Sequence, residues 1–171
     1  MEVDTLIELV RKVHPAGDGW TRSELTSAAR DAARLRAWCE AVQARIARSL
    51  EAVSVCPERD LAKASNLSSR SAGRLVDRGR AAAEVPTLGA ALEQGAVSGA
   101  HMDVVASALD QVDPEHRAEF ADRVGGLTDE AQRSTPEQFR KLLAAERTAM
   151  AGDHGEAQLE LLTSHAEEVL K

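Results

Sequence analysis

The 171-residue sequence has very few aromatic side chains: two tryptophans, two phenylalanines and no tyrosine. β-Sandwiches and barrels draw on aromatic and β-branched residues, so this scarcity argues against both. Glycine and proline are also few, at 11 and 5, which excludes a collagen-like or low-complexity chain. No apolar run approaches the roughly 18 residues that a membrane-spanning helix needs. The acidic start of the chain does not fit a secretory signal, so we expect a cytoplasmic protein without a membrane partner.

The sequence contains no recognisable pattern of catalytic or metal-binding residues. Cys39 and Cys56 are the only cysteines, and they form no C-x-x-C pair or metal-binding knuckle. Five scattered histidines lack the spacing of metal ligands. The sequence also has no phosphate-binding glycine loop and no nucleophile elbow. We therefore expect no catalytic residue, no metal and no cofactor in this chain.

Alanine is abundant, with 31 residues, and hydrophobic residues make up 43% of the chain. Alanine is the strongest helix former, and small side chains let helices pack closely. No segment alternates polar and apolar residues with a period of two. We therefore predict an all-α, multi-helix bundle with one long N-terminal helix and an embedded helix-turn-helix. The predicted parts are a helical arm at 1–20, a helical domain at 21–150, and a C-terminal helix or linker at 151–171, with a loop at 152–155.

The long helix is predicted to begin after Thr21, because Glu24 completes a capping box with it, and to run to about Val53. Its apolar positions recur every 3.5 residues on average. They are Leu25, Ala28, Ala32, Leu35, Cys39, Val42, Ile46 and Val53. This stripe fits either one wall of a bundle or the seam of a homodimer through residues 21–53. Its alanines and cysteine weaken a free-standing coiled coil, which slightly favours the bundle wall.

The segment 58–80 fits a helix-turn-helix. Ala62 supplies a small side chain where two helices cross, and Asn66 tolerates the positive φ that a tight turn requires. In the second helix Ala72 and Leu75, three residues apart, can pack against the first. The rest of that helix then faces outward, in the manner of a recognition helix that enters the major groove of DNA.

Charge is distributed unevenly, although the net charge is −7. Residues 21–80 hold 12 Lys and Arg against 7 Asp and Glu, whereas residues 81–171 hold 7 against 17. Such a chain can present a basic face to double-stranded DNA. Ser68, Ser69, Arg70 and Arg74 are the residues predicted to approach bases, and Lys63, Arg78 and Arg80 are those predicted to contact phosphates. The alternative is a solvated charged surface on a helical protein-interaction or dimerisation module.

Three stretches in a fixed order carry a resemblance: DLAKASNLSSRSAGRL at 60–75, EVP at 84–86 and ALEQGAVSGAH at 91–101. They resemble the actinobacterial helical domain of unknown function that precedes HNH endonuclease domains, the mycobacterial repeat-protein family. The same order is similar to the DNA-binding segment of ParB partition proteins. The resemblance covers roughly residues 25–150.

This resemblance implies a nucleoid-associated module that targets an HNH nuclease to DNA. The paired His and Asn that hold the divalent metal of an HNH domain have no counterpart here, so the resemblance implies no nuclease activity for this chain. His101 matches a family position, and we interpret it as a helix-packing or capping residue.

Overall fold

The structure, a computed structural model, describes the backbone of residues 2–169 and the side chains of residues 2–152. Within this part the chain consists of helices joined by turns and loops and has no strand, which confirms the all-α prediction. The helices are α1 (Val3–Val13), α2 (Arg22–Glu51), α3 (Pro57–Ser65), α4 (Ser69–Glu84), α5 (Pro86–Glu93), α6 (Gly99–Leu109), α7 (Arg117–Gly126), α8 (Thr128–Arg133) and α9 (Pro136–Val169). Residues 170 and 171, the end of the predicted C-terminal segment 151–171, lie outside the described part.

Side-chain caps explain where several helices begin. The Thr21 backbone N–H donates to Glu24 Oε2 at 2.8 Å, and the Glu24 N–H donates back to Thr21 Oγ1 at 3.3 Å. This is the predicted capping box, and it satisfies two of the N–H groups that the first turn of α2 leaves open. α3 and α5 begin with a proline instead, whose fixed φ suits the first helical position.

Two hydrophobic cores hold the helices together. The larger core joins α5, α6, α7, α8 and α9 with parts of α2 and α4, and its largest fully buried side chains include Phe120, Phe139, Leu88, Leu92 and Met102. The smaller core consists of Ala47 of α2, Leu61 of α3 and Ala72, Leu75 and Val76 of α4. α4 contributes to both cores, because Ala81 packs in the larger one.

The buried face of α2 differs from the stripe predicted for it. Its buried residues are Ala28, Ala37, Ala41, Ala44 and Ala47. Of the predicted stripe, Leu25, Cys39, Ile46 and Val53 are exposed. Ala28 of that stripe is buried, and Ala32, Leu35 and Val42 are half-buried. The stripe therefore forms the bundle wall only in part. The physical reason is close packing: a Cβ on Gly79 of α4 would lie 2.5 Å from the Ala44 carbonyl oxygen, so only small side chains fit where α2 meets α4.

Two further features of the helices differ from the sequence prediction. The loop predicted at 152–155 is wrong, because α9 continues through it to Val169. Glycine in a helix interior costs only about 1 kcal/mol relative to alanine, and without a proline the two glycines there do not end the helix. α8, a helix of 6 residues, is not predicted from the sequence at all.

Candidate nucleic-acid interface

α3 and α4 meet at the turn that the sequence predicts. α3 ends at Asn66, whose φ of 51° and ψ of 43° lie in the left-handed region. The Leu67 N–H donates to the Ala62 carbonyl oxygen at 2.9 Å and closes the turn. Ser68 then caps α4, accepting a hydrogen bond from the Ser71 N–H at 3.1 Å. A left-handed asparagine followed at once by a new N-cap gives the abrupt change of direction that a helix-turn-helix requires.

The smaller core fixes the corner between the two helices. Leu61 of α3 and Ala72 and Leu75 of α4 are buried there against Ala47 of α2. Ala62, the residue predicted at the crossing, is half-buried at the edge of this core. The corner is therefore rigidly attached to α2.

Five of the predicted DNA-contacting residues are exposed on this corner: Lys63, Ser68, Ser69, Arg70 and Arg74. Lys63, Arg70 and Arg74 form no ion pair with an acidic side chain among the described residues, and Arg74 Nη2 donates only to Ser71 Oγ, at 3.4 Å. Arg70 and Arg74 are one helical turn apart, so both guanidinium groups project from the same side of α4.

Arg59 extends the basic surface, although it is not among the residues predicted to contact DNA. It is exposed and forms no ion pair in the described part of the chain. Arg59 and Lys63 are four residues apart on α3, which is the spacing of Arg70 and Arg74 on α4. That repeated spacing is the signal by which the sequence could have identified it. We call Arg59, Lys63, Arg70 and Arg74 the basic corner.

Arg78 does not belong to the basic corner, and the prediction that it faces a phosphate needs correction. Its Nε donates to Asp103 Oδ1 at 2.6 Å and its Nη2 donates to Asp103 Oδ2 at 2.8 Å. Glu40 lies 3.9 Å from its Nη1, and only 14% of its side chain is exposed. The hydrogen bond to Asp103 is the main influence that raises the pKa of Arg78 above its ordinary value. Arg78 therefore holds α4 against α6.

Arg80 is more exposed than Arg78 but is also paired. Its Nε donates to Glu51 Oε1 at 2.7 Å, and its Nη1 lies 3.6 Å from Asp77 Oδ1. Half of the side chain, 48%, remains exposed. Its charge is thus largely offset by Glu51 and Asp77. Burial is the largest influence on Asp77 and raises the pKa of its carboxyl, with Arg80 opposing the shift.

Gly73 is half-buried and lies in the same row of α4 as the exposed Ser69 and the half-buried Asp77. A Cβ added to it would meet nothing within 4 Å, whereas a Cβ on Gly79 or Gly89 would lie 3.0 Å or less from a backbone oxygen. Packing within the described chain therefore accounts for Gly79 and Gly89 but not for Gly73. Its backbone is open to close approach from outside.

His101 has the capping role expected of it. The Ser98 N–H donates to its Nδ1 at 3.2 Å, which leaves the proton on Nε2 to donate to the Ser134 carbonyl oxygen at 3.1 Å. The ring is buried and stands 6.0 Å from that of Phe139, centre to centre. Both ring nitrogens are thus used within the fold.

Other kinds of site find no support in the described residues. No three His, Cys, Asp or Glu side chains among them gather in a group fit to hold a metal ion. None of the helices searched in that part combines the length and hydropathy needed to cross a bilayer. No protein-family model matches the chain, and neither a curated protein nor a solved structure matches it.

Proposed function

We propose that the chain binds double-stranded DNA through α3 and α4, with the N-terminal half of α4 in the major groove. The observation that supports this most directly is the basic corner: four exposed cations on a helix-turn-helix, none ion-paired with an acid in the described residues. Arg78 and Arg80 differ from these four residues, because Asp103 and Glu51 offset their charges. Exposed cations without an acidic partner on a helix-turn-helix favour binding to a polyanion such as DNA.

The residues have distinct proposed roles. Ser68, Ser69, Arg70 and Arg74 approach base edges, because the first turns of a recognition helix enter the groove. An arginine there can donate two hydrogen bonds to guanine O6 and N7. Lys63 contacts phosphates, and we add Arg59 to that group. Arg78 is removed from it because its guanidinium is committed to Asp103.

We further propose that this DNA-binding module targets an HNH-type nuclease. The proposal rests on the resemblance of residues 60–101 to the domain that precedes such nucleases. It assigns no catalytic residue to this chain. The acidic second half of the sequence repels DNA, so contact is confined to the basic corner.

Selection of random DNA duplexes on the purified chain, at two salt concentrations, tests the proposal. We expect duplexes to be retained, with retention falling steeply as salt rises because bound phosphates release counterions. R70A and R74A should each weaken binding to the selected duplex by about 1–3 kcal/mol. A matched control is R133A, on α8, which removes another exposed arginine that lies outside the corner. Equal effects of R70A, R74A and R133A would reject the corner as the DNA site.

A second candidate function is protein interaction through α2 without DNA binding. It is favoured by Leu25 and Ile46, which are 44% and 49% exposed on α2. I46D separates the two: it should leave duplex binding intact if the corner is the functional surface. Loss of a partner or of self-association with I46D, together with no duplex retention by the parent chain, would support the second function instead.

A further inference from the structure

Part of the apolar surface of α1 remains exposed in the described chain. Leu9 is buried, and Leu6 and Val13 are half-buried, in the face that packs against α2. Val3, Ile7 and Val10 are instead 69%, 42% and 51% exposed. Steps of four and three residues place these three side chains in one row along the helix. An exposed apolar row bordered by polar residues is typical of an interaction surface.

Charged side chains border this row on one side: Asp4, Glu8 and Arg11 are exposed there, at steps of four and three residues. Asp4 lies three residues before Ile7 and Arg11 four residues after it, both exposed. Neither forms an ion pair with another side chain in the described residues. They are seven residues apart, which places them on the same side of α1 but about 10 Å from one another along the axis. They are therefore too distant to pair within one chain.

The apolar row and its charges match those of a second copy of α1 that runs in the opposite direction. If a second α1 runs antiparallel with a twofold axis near Ile7, Asp4 of each copy faces Arg11 of the other. The two Ile7 side chains meet at the axis, and each Val3 approaches the Val10 end of the opposite row. A parallel arrangement would bring Asp4 against Asp4 and Arg11 against Arg11. The charges thus favour one orientation, and a twofold axis makes both ion pairs form at once.

We propose that α1 is a self-association surface, which pairs antiparallel with α1 of a second copy of this chain. The proposal is independent of DNA binding. It moves the expected homodimer contact from the 21–53 helix to the arm in front of it. This fits the fold, because α1 itself packs on α2. The contact is short, so we expect weak association that needs high protein concentration to detect.

Sedimentation equilibrium of the full chain, from micromolar to near-millimolar concentration, tests the proposal. We expect a monomer–dimer equilibrium that I7D weakens at least tenfold. The matched control is V55D, which places the same charge on a fully exposed valine between α2 and α3 and should leave the equilibrium unchanged. A chain that stays monomeric throughout, or a dimer that survives I7D, would overturn the proposal. A dimer lost with I46D but not with I7D would assign the contact to α2 and would overturn it as well.

Charge reversal tests the antiparallel register separately. D4R and R11D should each weaken the dimer severalfold, because each places like charges opposite one another. The double variant D4R/R11D should recover most of the lost association, since the reversed pair is again complementary. Failure of the double variant to recover would reject this pairing. Asp4 and Arg11 are both exposed, and circular dichroism of each variant checks that the helices remain formed.

Discussion

Arg78 and Asp103 form a two-pronged ion pair, with both carboxylate oxygens of Asp103 accepting from the guanidinium at 2.6 and 2.8 Å. The pair joins α4 to α6 between residues 25 positions apart. Glu40 of α2 adds to the same cluster, since its Oε2 accepts from the Gly99 N–H at 2.8 Å. These interactions link α2, α4 and α6.

Replacing Asp103 with alanine should destabilise the fold by about 1–3 kcal/mol. That range lies between the values for exposed and fully buried pairs, because the loss leaves the half-buried Arg78 without its main partner. Urea unfolding followed by circular dichroism measures it. The comparison is R80A, which removes a more exposed pair and should cost about 1 kcal/mol or less. A smaller loss in D103A than in R80A would contradict this account.

Lys63 and Arg70 should differ in how their loss changes DNA binding. K63A should weaken all duplexes about equally and reduce the slope of log K against log salt by about 1, because one phosphate contact is lost. R70A should instead relax the preference for the selected sequence, because a base contact is lost. Fluorescence anisotropy on the selected and a scrambled duplex, over a salt series, measures both. The role assignment fails if K63A alters the sequence preference and R70A does not.

Substitution of Gly73 by alanine should change stability and binding in opposite directions. Alanine improves helix propensity by about 0.5–1 kcal/mol, and a Cβ there meets nothing within 4 Å. The melting temperature should therefore rise, while duplex affinity falls because the methyl group stands where DNA approaches the backbone. G79A is the contrasting variant, since its Cβ would lie 2.5 Å from the Ala44 carbonyl oxygen and should lower stability. Unchanged affinity in G73A would show that α4 does not approach DNA at this residue.

Asp77 should reduce the stability of the fold at neutral pH and weaken DNA binding at the proposed interface. Burial raises its pKa in the folded chain, so the folded state holds the proton more tightly than the unfolded state does. The resulting cost is present above the raised pKa and disappears as the pH falls through it. D77N should therefore increase stability at pH 7 more than at acid pH. It should also strengthen duplex binding, because it removes a carboxylate next to the basic residues.

Unfolding at pH 7 and at acid pH, with duplex anisotropy at pH 7, measures both effects of D77N. D113N is the control, because it removes the same charge at an exposed position between α6 and α7. An equal gain in affinity from D113N would mean that only net charge matters.

Local sequence signals predicted the boundaries near the candidate site well. The Thr21 box, the left-handed Asn66 and the Ser68 cap each depend on residues within four positions of one another. Interactions of that range are visible in a sequence, because they act within one helical turn. The positions of α3 and α4, and hence the turn between them, followed from such signals.

Contacts between distant helices could not be predicted in this way. Arg70, Arg74 and Arg78 share a spacing of four, yet each step turns the side chain about 40° further around the helix. Arg78 consequently points to α6, and nothing local marks Asp103 as its partner. Four of the five buried alanines of α2, all except Ala28, were missed for a related reason. Alanine suits both exposed and buried helix positions, so only the close approach of α4 decides which alanines are buried.

α4 packs in both hydrophobic cores, and this packing limits how far the basic corner can move when it meets a ligand. Ala72, Leu75 and Val76 anchor its first half in the smaller core, and Ala81 anchors its second half in the larger one. A helix that packs in both cores has little freedom to tilt or unwind. Its outward side chains are therefore presented in advance, and binding incurs little backbone ordering entropy.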